Sequence, residues 1–472
     1  MPRMRQHEAP TFHSEPIGLR KLPGKMRGRL KLALATLIVA EVVASVYLAC
    51  LNPVAGYDEN WYLINSHRFA GSMALPYALH RPPLLSLMLA AMGSYYRLLP
   101  ALAHIGSTIL TFAILRRLVS PAMAIGGALV FAVSSDLRFY GTQLLTEIPS
   151  VFFLLLALYL FSLGRSVWVG VMATMLMMTH WSMATFAPGV LVVYAMHRRW
   201  RSVTRFFVGA GLTAVPFLIA SALAYGNPLE PLLIYLGGTS ASANDLLFYV
   251  QILPVTWLPI CVGSAFTLYW LATQRRGSAR SDSFDLCLLI LITLAGRLVL
   301  THSITDKGMR YLVPLLPLGV VLSVFALEYY TRTLRSARWV LWPVLIISIC
   351  PTRGFVWRMR EFRTDSVSQL VELEPFMANL DKNEVIYTDV NDLAVMGHTG
   401  YLTVAVPTEA SPHHPLYNRA FTSRRQIPTG SLYLTWDPGT SKVLASATPT
   451  RRGTLHLVRW DGRSPLASGA PN

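Results

Sequence analysis

Apolar runs of about 20 residues recur between Leu32 and Cys350, and they limit the fold of this chain more than any other feature. A helix of about 20 residues is long enough to cross roughly 30 Å of hydrocarbon. Of the 472 residues, 53% are hydrophobic and only 14% are charged, whereas an ordinary soluble domain has about 25% charged residues. The sequence therefore predicts a multi-pass membrane protein.

The formal net charge of +17 would suggest nucleic acid as a partner of a soluble protein. Here Lys and Arg stand in short loops between apolar runs, where such residues orient the spans. We therefore interpret the charge as topology and expect no nucleic-acid partner. The four cysteines lie in or at the ends of apolar runs without metal-ligand spacing, which argues against a zinc site and against a disulfide framework.

The arginine clusters decide how the segment from Pro82 to Leu99 is interpreted. If this segment lies flat in the interface, every dense arginine cluster falls on one side, as the positive-inside rule requires. If it spans, Arg116 and Arg117 move outside and every later loop is reversed. We therefore predict about 11 spans, with the N-terminus inside and the C-terminal tail outside. The predicted spans are approximately 32–51, 101–115, 121–135, 148–163, 167–179, 183–195, 206–224, 246–272, 284–300, 311–327 and 339–350.

Composition divides the chain into three regions. Residues 1–31 are a polar, basic cytoplasmic tail, residues 32–350 are an all-α transmembrane bundle with an outer loop at 52–100, and residues 351–472 have the composition of a soluble extracytoplasmic domain. A helix near 366–380 and short strands near 385–388, 402–406, 432–436 and 455–460 predict a small α/β module there.

The outer loop should contain two short helices lying at the membrane interface. Asp58 is placed to cap the first helix, and Pro82 with Pro83 suits the first turn of the second, where a missing N–H costs little. Leu84, Leu87, Met88, Ala91 and Tyr95 give the second helix an apolar stripe suited to lipid.

Four motifs follow one another on the predicted outer side: Asp58-Glu59, Arg81-Pro82-Pro83-Leu84, Leu145-Thr146-Glu147-Ile148-Pro149 and Arg310-Tyr311-Leu312-Val313-Pro314-Leu315-Leu316-Pro317. In this combination the chain resembles the GT-C membrane glycosyltransferases. More narrowly, it is similar to the protein mannosyltransferase-like branch, which includes bacterial lipid A aminoarabinose transferases. The resemblance covers about Leu32 to Leu327. It implies a plasma (inner) membrane enzyme that moves a sugar from a polyprenyl-phosphate carrier to a lipid, glycan or protein acceptor of the cell envelope, on the extracytoplasmic face.

An inverting sugar transfer needs a carboxylate that removes a proton from the acceptor hydroxyl. By the resemblance, Asp58 is the base, Glu59 assists or positions it, and Glu147 orients the acceptor or the base.

The transfer also needs cations that hold the carrier phosphate as negative charge develops on it. By the resemblance, Arg81 and Arg310 take this role, with Tyr311 beside Arg310. Lys307 and Arg297 are supporting candidates; Arg297 stands within an apolar run, where an unpaired charge is costly.

His180 stands near the position where many relatives carry a lysine after a threonine, here Thr179, and this departure leaves its role open. The sequence assigns no certain cofactor, and participation of a divalent metal ion stays open.

Structural interpretations compete with each of these assignments. Asp58 is also an ordinary helix cap, Glu147 a solvated loop acid, and Glu41 an acid paired inside the bundle. The basic residues Arg81, Lys307 and Arg310 are also suited to anchoring the chain at lipid headgroups.

A transporter or lipid flippase would also explain many spans with few charges, and a non-catalytic scaffold is a third reading. Transporters often show internal repeats with broken helices at the midplane. No repeat is visible in this sequence.

The topology predicts opposite labelling of two cysteines introduced into a variant that lacks the four native ones. Ser366→Cys, in the tail, should react with a membrane-impermeant thiol reagent in intact spheroplasts, whereas Ser202→Cys, in an arginine-rich inner loop, should not. The reverse pattern would invert the topology and move the candidate site to the inner face.

Overall fold

The computed structural model describes residues 24–51, 57–71, 81–233, 258–274, 282–302, 309–331, 365–381, 384–389, 395, 401, 403–405, 427–449 and 453–463. Its membrane part is helical. The helices are α1 (Gly24–Leu51), α2 (Tyr57–Phe69), α3 (Pro83–Met92), α4 (Leu98–Leu118), α5 (Pro121–Val133), α6 (Ser135–Tyr140), α7 (Glu147–Ser162), α8 (Ser166–Thr179), α9 (Phe186–Met196), α10 (Trp200–Tyr225), α11 (Leu258–Gln274), α12 (Asp282–His302) and α13 (Leu316–Thr331). Short 3-10 helices at Gly93–Tyr95, Trp181–Thr185 and Met309–Leu315 interrupt this series.

Most predicted spans coincide with these helices to within a few residues. Five stretches in the described part of the chain are long and apolar enough to cross a membrane, namely α1, α4, α10, α12 and Arg310–Tyr330. Helices α5 and α9 have only 13 and 11 residues, fewer than the roughly 20 that a bilayer requires. The predicted span at 339–350 lies outside the described residues. The protein is thus a multi-pass helical bundle, and the number of spans stays a prediction.

Apolar side chains fill the core of the bundle, and other apolar side chains face outward from it. Ile114 on α4, Phe131 on α5, Leu154 on α7 and Leu176 on α8 have no exposed surface and belong to one contiguous cluster of buried side chains. Helix α10, by contrast, exposes 84% of Leu223. Such an exposed apolar face is unfavourable in water and suited to lipid.

Helices α8 and α10 cross where glycines let their backbones touch. A Cβ atom on Gly170 would overlap the carbonyl oxygen of Phe206, and one on Gly209 would overlap the carbonyl oxygen of Val167. Small residues at helix crossings allow this close approach inside membranes, where packing replaces the hydrophobic effect between helices.

The helix within the segment from Pro82 to Leu99 is shorter than a bilayer requires. Helix α3 has 10 residues, about 15 Å of rise, and is followed by Gly93 at φ 53°. Leu85 and Leu89 are buried on its protein side. Of the predicted apolar stripe, Leu87, Ala91 and Tyr95 are exposed, whereas Leu84 and Met88 are partly buried against the core. The position of this helix at the membrane interface stays a prediction.

The C-terminal region forms the predicted small sheet beside helix α14 (Asp365–Met377). The strands are β1 (Ile386–Thr388), β2 (Thr403–Ala405), β3 (Leu432–Thr435), β4 (Lys442–Ser446) and β5 (His456–Arg459), in the order β2-β1-β3-β5-β4. Strand β1 pairs in parallel with β2 and β3, and β5 pairs antiparallel with β3 and β4. The sequence analysis missed β4, because this edge strand has a β-bulge and largely exposed side chains instead of a buried alternating face.

The α8–α10 crossing predicts that Gly209→Ala destabilises the protein by about 1 to 3 kcal/mol, because the new methyl group overlaps the α8 backbone. Gly211→Ala is the matched control on the same helix, since a Cβ there meets nothing within 4 Å. The melting temperature of the purified protein in detergent should fall for the first variant and stay level or rise for the second. Equal effects of the two substitutions would show that the crossing tolerates a wider separation.

Candidate active site

Helices α2 and α3 and the chain between α6 and α7 pack together at one end of the bundle. Tyr62 of α2, Leu85 of α3 and Leu144 of the connecting chain belong to one buried cluster. Every residue from 141 to 150 is buried. Irregular backbone at membrane depth is tolerated where it is enclosed by protein. We call this end, made of α2, α3, residues 141–147 and the 3-10 helix Met309–Leu315, the loop end.

Asp58 is the centre of charge at the loop end. It lies in the first turn of α2, where its Oδ1 accepts from Nη2 of Arg81 and its Oδ2 accepts from Nη1 of Arg310. These arginines stand 23 and 252 residues away from Asp58 in the sequence. The side chains of Asp58, Arg81 and Arg310 are 12%, 23% and 29% exposed. The three leading sequence candidates thus form one partly enclosed ionic group, which argues against two arginines that act only as separate lipid anchors.

Arg310 is oriented by its neighbour Tyr311. Its Nη2 donates to the Tyr311 hydroxyl at 2.8 Å, and the guanidinium carbon lies 4.8 Å from the centre of the tyrosine ring. The hydrogen bond and the cation–π contact together limit the directions in which the guanidinium group can point. Tyr311 therefore has a local role at the site beside Arg310.

Arg297 lies on α12 without exposed surface. Its Nη2 donates to the backbone carbonyl of Tyr311 at 3.1 Å and contacts Nε2 of His180 at 3.4 Å. The charge expected to need a partner is thus held by polar groups inside the bundle. Through the Tyr311 carbonyl, Arg297 fixes the short helix that carries Arg310.

His180 has a hydrogen-bonding pattern that fixes its tautomer. A guanidinium group can only donate, so Nε2 of His180 must accept from Arg297. The proton then resides on Nδ1, which donates to Oγ of Ser182 at 2.7 Å. In this arrangement His180 is a neutral acceptor that supports Arg297, and it does not supply a positive charge as a lysine would.

Glu59 and Glu147, the other two acidic candidates, are both buried. Oε1 of Glu59 accepts from the backbone N–H of Leu144 at 2.8 Å, so this carboxylate ties α2 to the chain before α7. Glu147 is the first residue of α7 and is 3% exposed, so its interpretation as a solvated loop acid is wrong. Within the described residues its Oε2 has no hydrogen-bond partner, which leaves an acceptor oxygen at the loop end.

Tyr62 is a site residue that the sequence analysis missed. Its phenol is enclosed within electrostatic range of Arg81, Asp58 and Glu147, and its side chain is hydrogen-bonded to that of Thr146. Burial raises the pKa of the Tyr62 phenol well above its usual range, so the group stays a neutral hydroxyl. Its i+4 spacing from Asp58, which places both on one face of α2, was the available signal.

Glu41 forms a second buried ionic group. Its carboxylate contacts Nη2 of Arg138 and Nδ1 of His104, each at 2.6 Å, and accepts from the hydroxyl of Ser45 at 2.6 Å. The interpretation of Glu41 as an acid paired inside the bundle is confirmed. The sequence did not reveal that its partners come from α4 and α6.

Lys307 lies outside the described residues.

Among the residues that the structure does describe, no three His, Cys, Asp or Glu side chains gather as a metal-ion group. Both oxygens of Asp58 contact arginines. The described residues therefore show no donor set for a divalent cation, and participation of such an ion stays open.

The long apolar helices indicate a multi-pass membrane protein, and the likeness to solved structures shows the GT-C fold that the motif order predicted. The sequence matches no family model, and no curated protein matches it. The fold is similar to that of ArnT from Cupriavidus metallidurans bound to undecaprenyl phosphate, with a TM-score of 0.62 and 13% sequence identity over 93% of this chain and 99% of ArnT. For ArnT in the apo state, the TM-score is 0.63 and the identity is 13%, over 94% of this chain and 100% of ArnT. It is also similar to the archaeal oligosaccharyltransferase AglB from Archaeoglobus fulgidus, in complex with an inhibitory peptide and a dolichol-phosphate (TM-score 0.51, 10% identity, 78% of this chain and 64% of AglB).

The contact between Glu59 and Leu144 predicts a graded loss of stability. Glu59→Ala leaves the buried Leu144 N–H without its acceptor and should cost about 1 to 3 kcal/mol. Glu59→Gln keeps a side-chain carbonyl oxygen and should cost less. The melting temperatures of the two purified variants measure these losses of stability. An equal loss for both would attribute the effect to the charge of Glu59 instead of this hydrogen bond.

Proposed function

We propose that this protein is an integral membrane glycosyltransferase that moves a sugar from a polyprenyl-phosphate carrier to an acceptor of the cell envelope. The observation that carries the proposal is the meeting of Asp58, Arg81 and Arg310 at one end of a GT-C bundle. Similar folds hold undecaprenyl phosphate in ArnT and dolichol-phosphate in AglB, which supports a carrier of this chemical class.

Arg81 and Arg310 are the groups that we assign to the carrier phosphate. A guanidinium group can form two parallel hydrogen bonds to phosphate oxygens, a geometry that lysine lacks. Their contacts strengthen as the bond between the sugar and the phosphate breaks, because negative charge then collects on the phosphate oxygens. Interactions that are stronger in the transition state than in the bound donor raise the rate of transfer.

Asp58 is the group that we assign to the acceptor hydroxyl. As the acceptor oxygen forms its bond to the anomeric carbon, the hydroxyl proton passes to the Asp58 carboxylate, and the carrier phosphate leaves with the electrons of the broken bond. Glu147, with an acceptor oxygen at the loop end, orients the acceptor through a hydrogen bond. Glu59 positions α2, and with it Asp58, through Leu144.

The remaining candidates act around the two arginines. Tyr311 orients Arg310, Arg297 holds the Tyr311 backbone, and His180 supports Arg297. Lys307, two residues before Met309, keeps its assignment as a further phosphate ligand from the sequence alone. The arginine distribution supports an extracytoplasmic loop end in the plasma (inner) membrane.

Membranes containing the protein and a radiolabelled polyprenyl-phosphate sugar test the proposal. Transfer or hydrolysis of the sugar supports an enzyme, whereas movement of intact lipid between leaflets supports a flippase. Asp58→Asn keeps the size of the side chain but cannot accept the proton, so turnover should fall by about 100-fold or more. Asp285→Asn is the control, because this aspartate also contacts two basic side chains, His197 and Arg199, but stands near the other end of α12. Near wild-type turnover of folded Asp58→Asn would remove Asp58 as the base.

A further inference from the structure

The two arginines assigned to the carrier phosphate are already bound to the carboxylate assigned as the base. Oδ1 of Asp58 contacts Arg81 and Oδ2 contacts Arg310, so both oxygens are engaged by cations. Resting on the function proposed above, we infer that Asp58 occupies the phosphate subsite while the donor is absent. The carrier phosphate displaces it from the arginines, and Asp58 becomes available to the acceptor only after the donor has bound.

A carboxylate and a phosphate compete for the same kind of partner. Each presents a pair of charged oxygens that match the planar fork of a guanidinium group. In the group of Asp58, Arg81 and Arg310, two positive charges face one negative charge. Within this group of three side chains the positive charge is in excess, which favours the approach of the singly charged phosphodiester of a sugar donor.

The exposure of the three side chains favours replacement of the Asp58 carboxylate by a phosphate at the two arginines. Asp58 is 12% exposed, whereas Arg81 and Arg310 are 23% and 29% exposed. An anion that approaches the group thus meets the guanidinium groups more readily than the carboxylate. A hydroxyl acceptor that arrived first would meet a carboxylate whose two oxygens both contact arginines, which is a poor arrangement for proton transfer.

The exchange also balances charge through the reaction. When Asp58 takes the acceptor proton, it loses its negative charge as the departing phosphate gains one. The two arginines then face the phosphate without a competing carboxylate. Release of the proton restores the carboxylate, which competes with the carrier phosphate for the same arginines and promotes its departure.

Binding of Asp58 to the two arginines lowers the apparent affinity for phosphate, because only the fraction of molecules in which the arginines are released can bind it. Removing the charge of Asp58 should therefore tighten phosphate binding. The opposite arrangement, in which Asp58 stays on the arginines and orients them for the phosphate, predicts weaker binding for the same substitution. Whether the affinity for phosphate rises or falls therefore distinguishes displacement of Asp58 from its retention on the arginines.

Isothermal titration of the full-length protein in lipid nanodiscs with geranyl phosphate measures this change in affinity. Asp58→Asn should bind geranyl phosphate about tenfold more tightly than the wild type, or better. Arg310→Gln should bind it at least about tenfold more weakly. Asp285→Asn should leave the affinity unchanged, and geraniol, which lacks the phosphate, should show no difference among the variants.

Equal or weaker binding by Asp58→Asn, together with weaker binding by Arg310→Gln, would overturn the inference and leave the arginines as phosphate ligands. Unchanged binding by Arg310→Gln would overturn the inference and the assigned phosphate site together. Asp58→Ser provides a second uncharged variant with a smaller side chain, and it should tighten binding in the same direction. Size-exclusion chromatography of each variant selects the folded protein for these titrations.

Discussion

Pairing of buried or partly buried acids with basic side chains is the interaction on which the arrangement of this bundle depends. A carboxylate removed from water is costly unless cations and hydrogen bonds compensate it. Glu41, Asp58 and Asp285 each contact two basic side chains. Each group joins elements that the chain order separates: α1 with α4 and α6, α2 with the 3-10 helix before α13, and α12 with the chain between α9 and α10. Apolar packing fills the bundle, and these contacts specify which helix faces meet.

Irregular backbone at the loop end brings the candidate site together. The chain from Gly141 to Glu147 is buried but leaves the helical path between α6 and α7. One backbone N–H of this chain, that of Leu144, is satisfied by the Glu59 carboxylate. The 3-10 helix at Met309–Leu315 similarly turns Arg310 toward Asp58 before the regular helix α13 begins. Polar chemistry is thus concentrated where helix geometry is interrupted and protein encloses the backbone.

The sequence predicted the elements of this protein better than their contacts. Long apolar runs located most helices, and the order of the four motifs predicted a GT-C fold. The same motifs brought forward Asp58, Arg81 and Arg310, which the structure places together. Span boundaries, however, do not tell which faces of two helices meet. The partners of Glu41, the role of Tyr62 and the fixed tautomer of His180 all depend on such faces, so they became visible only in three dimensions.

The sequence separation within the Asp58 group sets an order of events during synthesis. Arg81 follows Asp58 by 23 residues, but Arg310 follows it by 252. At about 5 to 20 residues per second, ribosomes need roughly 10 to 50 seconds to supply the second arginine. During that interval Arg81 is the partner that can neutralise Asp58 while the helices between them and Arg310 enter the membrane. The nascent chain therefore has no complete candidate site until nearly the whole bundle has been made.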